Sequence, residues 1–208
     1  EAIADGLTRE EAKSRQRVLA GGTLADIDLF DNELFRRSRR ELELTDPQQR
    51  VLVECAWQAL ENAGREPGKC TELTGVFVGG SRSTYRLHNL AHLRVLRGSV
   101  EEYQINLGND LDYLASRIAY HLGLEGPALN VQTACSTSLA AVHLAVQSLL
   151  AGECDLALAG GVSIMLPQRQ RYLFSPEGIL SPTGECRPFT QDANGTVPGE
   201  AAGVVVQH

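Results

Sequence analysis

The 208-residue chain lacks several features, and each absence excludes a class of protein. No apolar run approaches the roughly 18 residues that a membrane-spanning helix needs. Residues 1–15, EAIADGLTREEAKSR, carry acidic charges and no apolar core, so they do not read as a secretory signal. There is no Pro-, Gly- or Ser-rich linker, no low-complexity segment and no internal repeat. A basic footprint is also missing: the formal charge is −7, which argues against nucleic-acid binding. The five cysteines, Cys55, Cys70, Cys135, Cys154 and Cys186, contain no C-x-x-C pair and do not cluster with histidines. No metal site is therefore expected, and the thiols read as free in a reducing compartment, with the cytoplasm as the default.

What remains is ordinary globular composition, 43% hydrophobic, in a length that suits one substantial domain. The clearest helix runs from Asp46 to about Ala63. Asp46 suits the N-cap, Pro47 the first helical position, and Gln49 a capping box, while Gly64 ends the run. Apolar residues 75–78 read as a strand closing on Gly79-Gly80. A second helix is expected over 110–122, a strand over 127–133, a helix from Ser136 to about Leu150, and strands over 156–163 and 203–207. Residues 167–199 read as a long loop. Alternating strands and helices imply an α/β fold with a mostly parallel, covered sheet.

Four arginines, Arg36, Arg37, Arg39 and Arg40, form the one basic cluster. They fit a solvated turn or, as a sharper reading, a docking patch for an acidic carrier.

Cys135 stands apart from the other thiols. The segment VQTACSTSL (131–139) sets it at a strand-to-helix junction. A helix N-terminus presents unpaired N–H groups and a partial positive charge, which suit an anionic sulfur and an oxyanion beside it. The small neighbours Ala134, Ser136 and Ser138 leave room for a substrate arm. Position alone fits equally well a small buried residue opening a core helix.

Longer segments decide between these. DIDLFDNELF (26–35), DPQQRVLVECAWQALENAG (46–64), TGVFVGGS (74–81), GPALNVQTACSTSLAAVHLAVQSLLAGECDLALAGGVSIMLPQ (126–168) and GILSPTGECRPFTQDANGTVPGEAAGVVV (178–206) occur in order. Together they resemble the β-ketoacyl synthases, in particular ketosynthase domains of modular type I polyketide synthases and hybrid peptide–polyketide synthases. Leu34 and Arg36 depart from the family's aromatic-rich continuation, and Gln132 stands where many members carry Asp.

The resemblance implies the N-terminal half of a thiolase-like fold, a layered mixed sheet covered by helices, that dimerises in the parent. It implies that Cys135 accepts an acyl group from the phosphopantetheine arm of an acyl carrier protein. A malonyl-type carrier-protein thioester would then undergo decarboxylative Claisen condensation with that acyl group. No cofactor is expected to bind the chain directly. Thr196 falls where fatty-acid relatives often carry Phe near the acyl pocket, and the smaller residue would widen it.

In the family, two histidines and a lysine from the second half assist condensation. His88, His92, His121, His143 and His208 lie in no such motif, and His143, eight residues beyond Cys135, reads as structural. Residues 1–208 are therefore expected to be a partial ketosynthase domain, lacking its first strand and its C-terminal half. Such a piece would be inactive in condensation alone and would expose an apolar face. A non-condensing, acyl-transferring or scaffolding ketosynthase shares every feature above. The α/β hydrolase and nucleotide-binding alternatives fail, because G-x-S-x-G, G-x-x-x-x-G-K-[ST] and G-x-G-x-x-G motifs are absent.

Overall fold

The structure, a computed structural model, describes residues 17–168 and 172–208. The reading of residues 1–15 lies outside that range. In chain order the elements are β1 (Arg17–Val18), α1 (Arg39–Glu43), α2 (Pro47–Asn62), β2 (Thr74–Gly80), α3 (Val100–Asn109) and α4 (Leu114–Leu122). They continue with β3 (Ala128–Asn130), α5 (Thr137–Leu150), β4 (Leu156–Ser163), β5 (Tyr172–Leu173) and β6 (Ala201–Gln207). A π-helical turn covers Arg86–Leu90, and 3-10 turns precede α4 and α5.

Leu24–Leu166 and Ala201–His208 form the larger of two compact units. Its sheet has the order β3-β2-β4-β6. β2 runs parallel to β3 and β4, in register from Thr74 opposite Leu156 to Gly80 opposite Val162. β6 pairs antiparallel with β4, so the sheet is mixed.

The two-residue side-chain period of the strands sorts the core. Val76, Val78, Leu156 and Leu158 pack with α2 and α4 on one face. Phe77, Ala157 and Ala159 face Ala141 and Ala145 of α5 on the other. Alanines on both sides of that second interface let α5 approach the sheet closely. On the first face, fully buried Leu52 and Leu60 of α2 stabilise the unit by roughly 2 kcal/mol each over exposure.

The helix ends follow their caps. Asp46 accepts a hydrogen bond from Gln48 N at 2.8 Å, Pro47 opens α2, and Gly64 takes φ 72° beyond it. The expected capping box does not form, because the Gln49 amide instead donates to Leu107 O at 2.9 Å. α4 ends at Gly123 with φ 64°, but residues 111–113 are a separate 3-10 turn rather than its first turn.

β6 is half-covered: Ala202, Val204 and Val206 pack on the core while Val205 is 50% exposed. On the α5 face Leu139, Leu144 and Leu150 are exposed as well.

The smaller unit combines residues up to Thr23 with Pro167–Glu200. There β1 pairs antiparallel with β5, and parallel bridges join Gly22 to Gly199 and Leu180 to Thr196. Buried Ser181 accepts at its carbonyl from Tyr172 Oη at 2.7 Å, so a segment that reads as plain loop has an internal tie.

Candidate functional site

Cys135 sits in the 3-10 turn Ala134–Ser136 that leads into α5. Ala134, just before it, adopts φ 54°, in the left-handed region that strains a residue with a Cβ. Side chains tie the strained turn down. Thr133 N donates to Thr137 Oγ1 at 3.0 Å, and Thr137 Oγ1 donates to Ala134 O at 2.8 Å. Ser136 Oγ donates to Thr133 O at 2.8 Å. This run of small hydroxyl residues therefore shapes the turn as well as leaving space beside it.

The turn rests on the end of β2. A Cβ on Gly79 would lie 2.0 Å from Val131 O and 2.3 Å from Thr137 Cγ2, so only glycine allows the approach. Cys135 is exposed, which removes the buried-filler reading for this residue. It lines a cavity of about 740 Å³, walled by Gly79, Gly80, Gly161 and Gly203, with Ser81, Arg82, Gln132 and Ser163 supplying polar groups.

Gln48 is the residue that sequence reasoning missed. Its side chain is buried, and Oε1 accepts from Ser81 N at 3.2 Å, Ser81 Oγ at 2.7 Å and Ile164 N at 3.3 Å. Its Nε2 donates to Ser81 O at 3.0 Å. One amide thus fixes the chain just beyond β2 and β4, where Arg82 and Ser163 enter the cavity wall. A polar residue at the second position of an otherwise well-capped helix was the available signal.

The remaining thiols divide. Cys154 is buried, with Sγ 3.6 Å from Ser148 Oγ. Burial, then Glu54, pushes the Cys55 thiol up; burial, then Glu72, does the same at Cys70. Cys186 is exposed in the smaller unit, so it is a bystander rather than a filler. Thr196 belongs to that same unit. Among the described residues no histidine lines the Cys135 cavity, and His143 is exposed on α5. Among them, too, no group of three or more His, Cys, Asp or Glu side chains is placed to hold a metal ion. None of their helices is long and apolar enough to cross a membrane.

The arginine cluster divides: Arg36, Arg39 and Arg40 are exposed, in keeping with a solvated stretch, and Arg37 is not. Arg37 is buried and pairs with Glu41 at 2.8 Å; Arg39 pairs with Glu43 at 3.0 Å; Arg40 pairs with Glu101. Arg117 joins Glu41 at 3.0 Å. Burial pushes the Glu41 carboxyl up, but hydrogen bonds and charge from Arg37 and Arg117 outweigh it and hold it low. Beside them His121 is lowered to about 4, first by burial and then by Arg37 and Arg117. Acidic neighbours thus pair with Arg37, Arg39 and Arg40, and of these pairs that of Arg37 lies inside the fold.

Residues 3–207 match the family described as beta-ketoacyl synthase, N-terminal domain. Over 98% of its length the chain is 43% identical to one of the phenolphthiocerol/phthiocerol polyketide synthase proteins of Mycobacterium tuberculosis, spanning 14% of that protein. It is 44% identical, over 89% of its length, to the spectinabilin polyketide synthase system protein NorA' of Streptomyces orinoci, spanning 5% of it. Among solved structures, ketosynthase twelve from the bacillaene polyketide synthase of Bacillus amyloliquefaciens superposes with a TM-score of 0.80 at 27% identity. That match covers 99% of this chain and 36% of the other. The ketosynthase from module 6 of the bacillaene synthase of Bacillus subtilis 168 superposes with a TM-score of 0.68 at 37% identity, covering 89% and 31%.

Proposed function

The chain belongs to the β-ketoacyl synthase family, as a polyketide synthase ketosynthase with a thiolase-like α/β fold, and we propose that Cys135 is its acyl-accepting nucleophile. One observation carries the proposal. An exposed thiol is held on a strained turn at the start of α5, and it lines a cavity walled mostly by glycine and small side chains.

In the proposed loading step, Cys135 sulfur attacks the carbonyl of an acyl thioester on the phosphopantetheine arm of an acyl carrier protein. The new carbon–sulfur bond forms, the old one breaks, and the thiol proton of Cys135 leaves with the arm's sulfur. Backbone N–H groups at the start of α5 stabilise the oxyanion between these events. In the parent protein, a malonyl-type thioester on a carrier then loses carbon dioxide. The electron pair left on its α-carbon attacks the Cys135 thioester, giving a β-ketoacyl carrier thioester and freeing the cysteine sulfur.

We assign residues 1–208 to the N-terminal part of a larger, dimeric ketosynthase domain, on the 36% share of the solved chain that they span. The groups assisting decarboxylation are assigned to the parent, because none of the five histidines lines the Cys135 cavity. A second reading is an acyl-transferring ketosynthase that stops after loading, since it uses the same step on Cys135.

Incubation with an acyl-pantetheine thioester, followed by intact-mass measurement and peptide mapping, tests the nucleophile. One acyl adduct on Cys135 is expected, and none on Cys135→Ala. Equal labelling of the two proteins would remove Cys135 from the reaction.

A further inference from the structure

The cavity at Cys135 contains one charged side chain among its described lining residues, Arg82. Arg82 is exposed, and no carboxylate among the described residues lies within 4.0 Å of its guanidinium. Arg36, Arg50, Arg94 and Arg97 likewise have no ion pair among the described residues, but none of them lines this cavity, whereas Arg37, Arg39, Arg40, Arg65, Arg86, Arg117 and Arg187 each have an acidic partner. The rest of the cavity wall offers glycine, alanine, valine, serine, threonine and Gln132, none of which carries a compensating negative charge.

Position strengthens the point. Arg82 lies three residues beyond Gly79, so its Cα is at most about 11 Å from the glycine on which the Cys135 turn rests. The Gln48 amide fixes Ser81, the residue immediately before it, through three hydrogen bonds. The arginine is therefore carried by a clamped segment, on the wall of the cavity that Cys135 also lines.

From this juxtaposition we propose that the site selects acyl groups bearing a terminal carboxylate, which Arg82 holds. The inference rests on the reading of Cys135 as the nucleophile. A guanidinium fork binds a carboxylate bidentately, and the partly enclosed cavity strengthens the pairing relative to open solvent. Two other anions fit less well. The phosphate of the phosphopantetheine arm stands at the far end of that arm from the sulfur. The extender carboxylate departs as carbon dioxide, so holding it in the ground state would oppose the reaction. Loading keeps the balance given above: glutaryl passes from pantetheine sulfur to Cys135 sulfur, the thiol proton leaves with pantetheine, and the carboxylate stays ionised on Arg82.

The test compares loading of the 208-residue chain by glutaryl-pantetheine and pentanoyl-pantetheine, each rate normalised to the same thioester's reaction with a free thiol. The wild type is expected to favour glutaryl by about tenfold or more. Arg82→Gln should bring the ratio close to one, while Arg82→Lys keeps part of it. Equal normalised rates in the wild type overturn the inference, as does a preference that survives in Arg82→Gln. So does a gain for pentanoyl-phosphopantetheine over pentanoyl-pantetheine that Arg82→Gln abolishes, since the arginine would then read the arm. Loading of both thioesters without preference leaves Cys135 as the nucleophile and rejects only the carboxylate. Failure of both to load removes the Cys135 reading, and this inference with it. Far-ultraviolet circular dichroism on each variant shows that the ratios come from folded protein.

Discussion

Gln48, near the start of α2, and Ser81, one residue beyond β2, are joined by three hydrogen bonds although 33 positions separate them in sequence. Gln48 Oε1 also accepts from Ile164 N, one residue beyond β4. Gln48→Leu keeps the approximate volume and leaves buried Ile164 N and the Ser81 hydroxyl without their acceptor, while Ser81 N keeps Val162 O at 3.1 Å. A loss of about 3 kcal/mol in urea unfolding is expected, with an unchanged slope. Loading of Cys135 should slow in parallel, because the cavity wall loses its brace. An unaltered unfolding midpoint would mean that the strand ends hold without it.

Gly79 and Gly203 both line the cavity, yet they should respond oppositely to a methyl group. At Gly79 a Cβ meets Val131 O at 2.0 Å, whereas nothing lies within 4 Å of one at Gly203. Gly79→Ala should cost about 3 kcal/mol or prevent folding, and Gly203→Ala should stay within about 0.5 kcal/mol of the wild type. Thermal unfolding of the pair makes the comparison directly.

Much of this arrangement is legible in the sequence, and the parts that are not have specific causes. α2 and β4 are readable because their caps and apolar runs agree with their burial. The 3-10 turn at 134–136 passes for helix or strand end, since φ 54° at Ala134 leaves no mark in a run of small residues. α3 escapes the periodicity reading although Ser99 and Glu102 announce it. Ser99 Oγ accepts from Glu102 N at 3.1 Å, and Gly98 N donates to the Glu102 carboxylate at 2.6 Å. Weak apolar periodicity hides it, with Val100 and Tyr103 facing solvent. Gln48 shows only as a polar residue in the first turn of a capped helix; its bracing role is hidden because most of its partners are backbone groups, which no side-chain pattern reveals.

Glu41 is shared by two guanidinium groups, Arg37 at 2.8 Å and Arg117 at 3.0 Å. Glu41→Ala leaves two cations facing each other, one of them buried, and should destabilise the fold by about 3 kcal/mol. Adding Arg117→Met should recover part of the loss. A double-mutant cycle measured by denaturant unfolding gives the coupling, and simple additivity would show that the three groups act independently.

His121 should make stability fall with acidity. Its folded value of about 4 lies below the ordinary 6.5, so above pH 6.5 it is neutral in both states and contributes no pH dependence. As pH drops from 6.5 towards 4, the unfolded chain takes up a proton that the folded chain refuses. The associated loss is on the order of 2–3 kcal/mol, and His121→Gln should lack it. Unfolding curves for both proteins between about pH 7.5 and 4.5 should converge or cross as the wild type weakens. A constant gap across that range would contradict the assignment.

The glycines beside Cys135 carry an evolutionary consequence. Gly79, Gly80, Gly161 and Gly203 have no side chain to shorten, so no substitution at these four positions can hollow the chamber further; every change adds bulk. Any enlargement or change of charge in this chamber therefore falls to lining residues that carry side chains to exchange, among them Arg82, Gln132, Val162 and Ser163. Selectivity at such a site drifts at its edge while its floor stays constant.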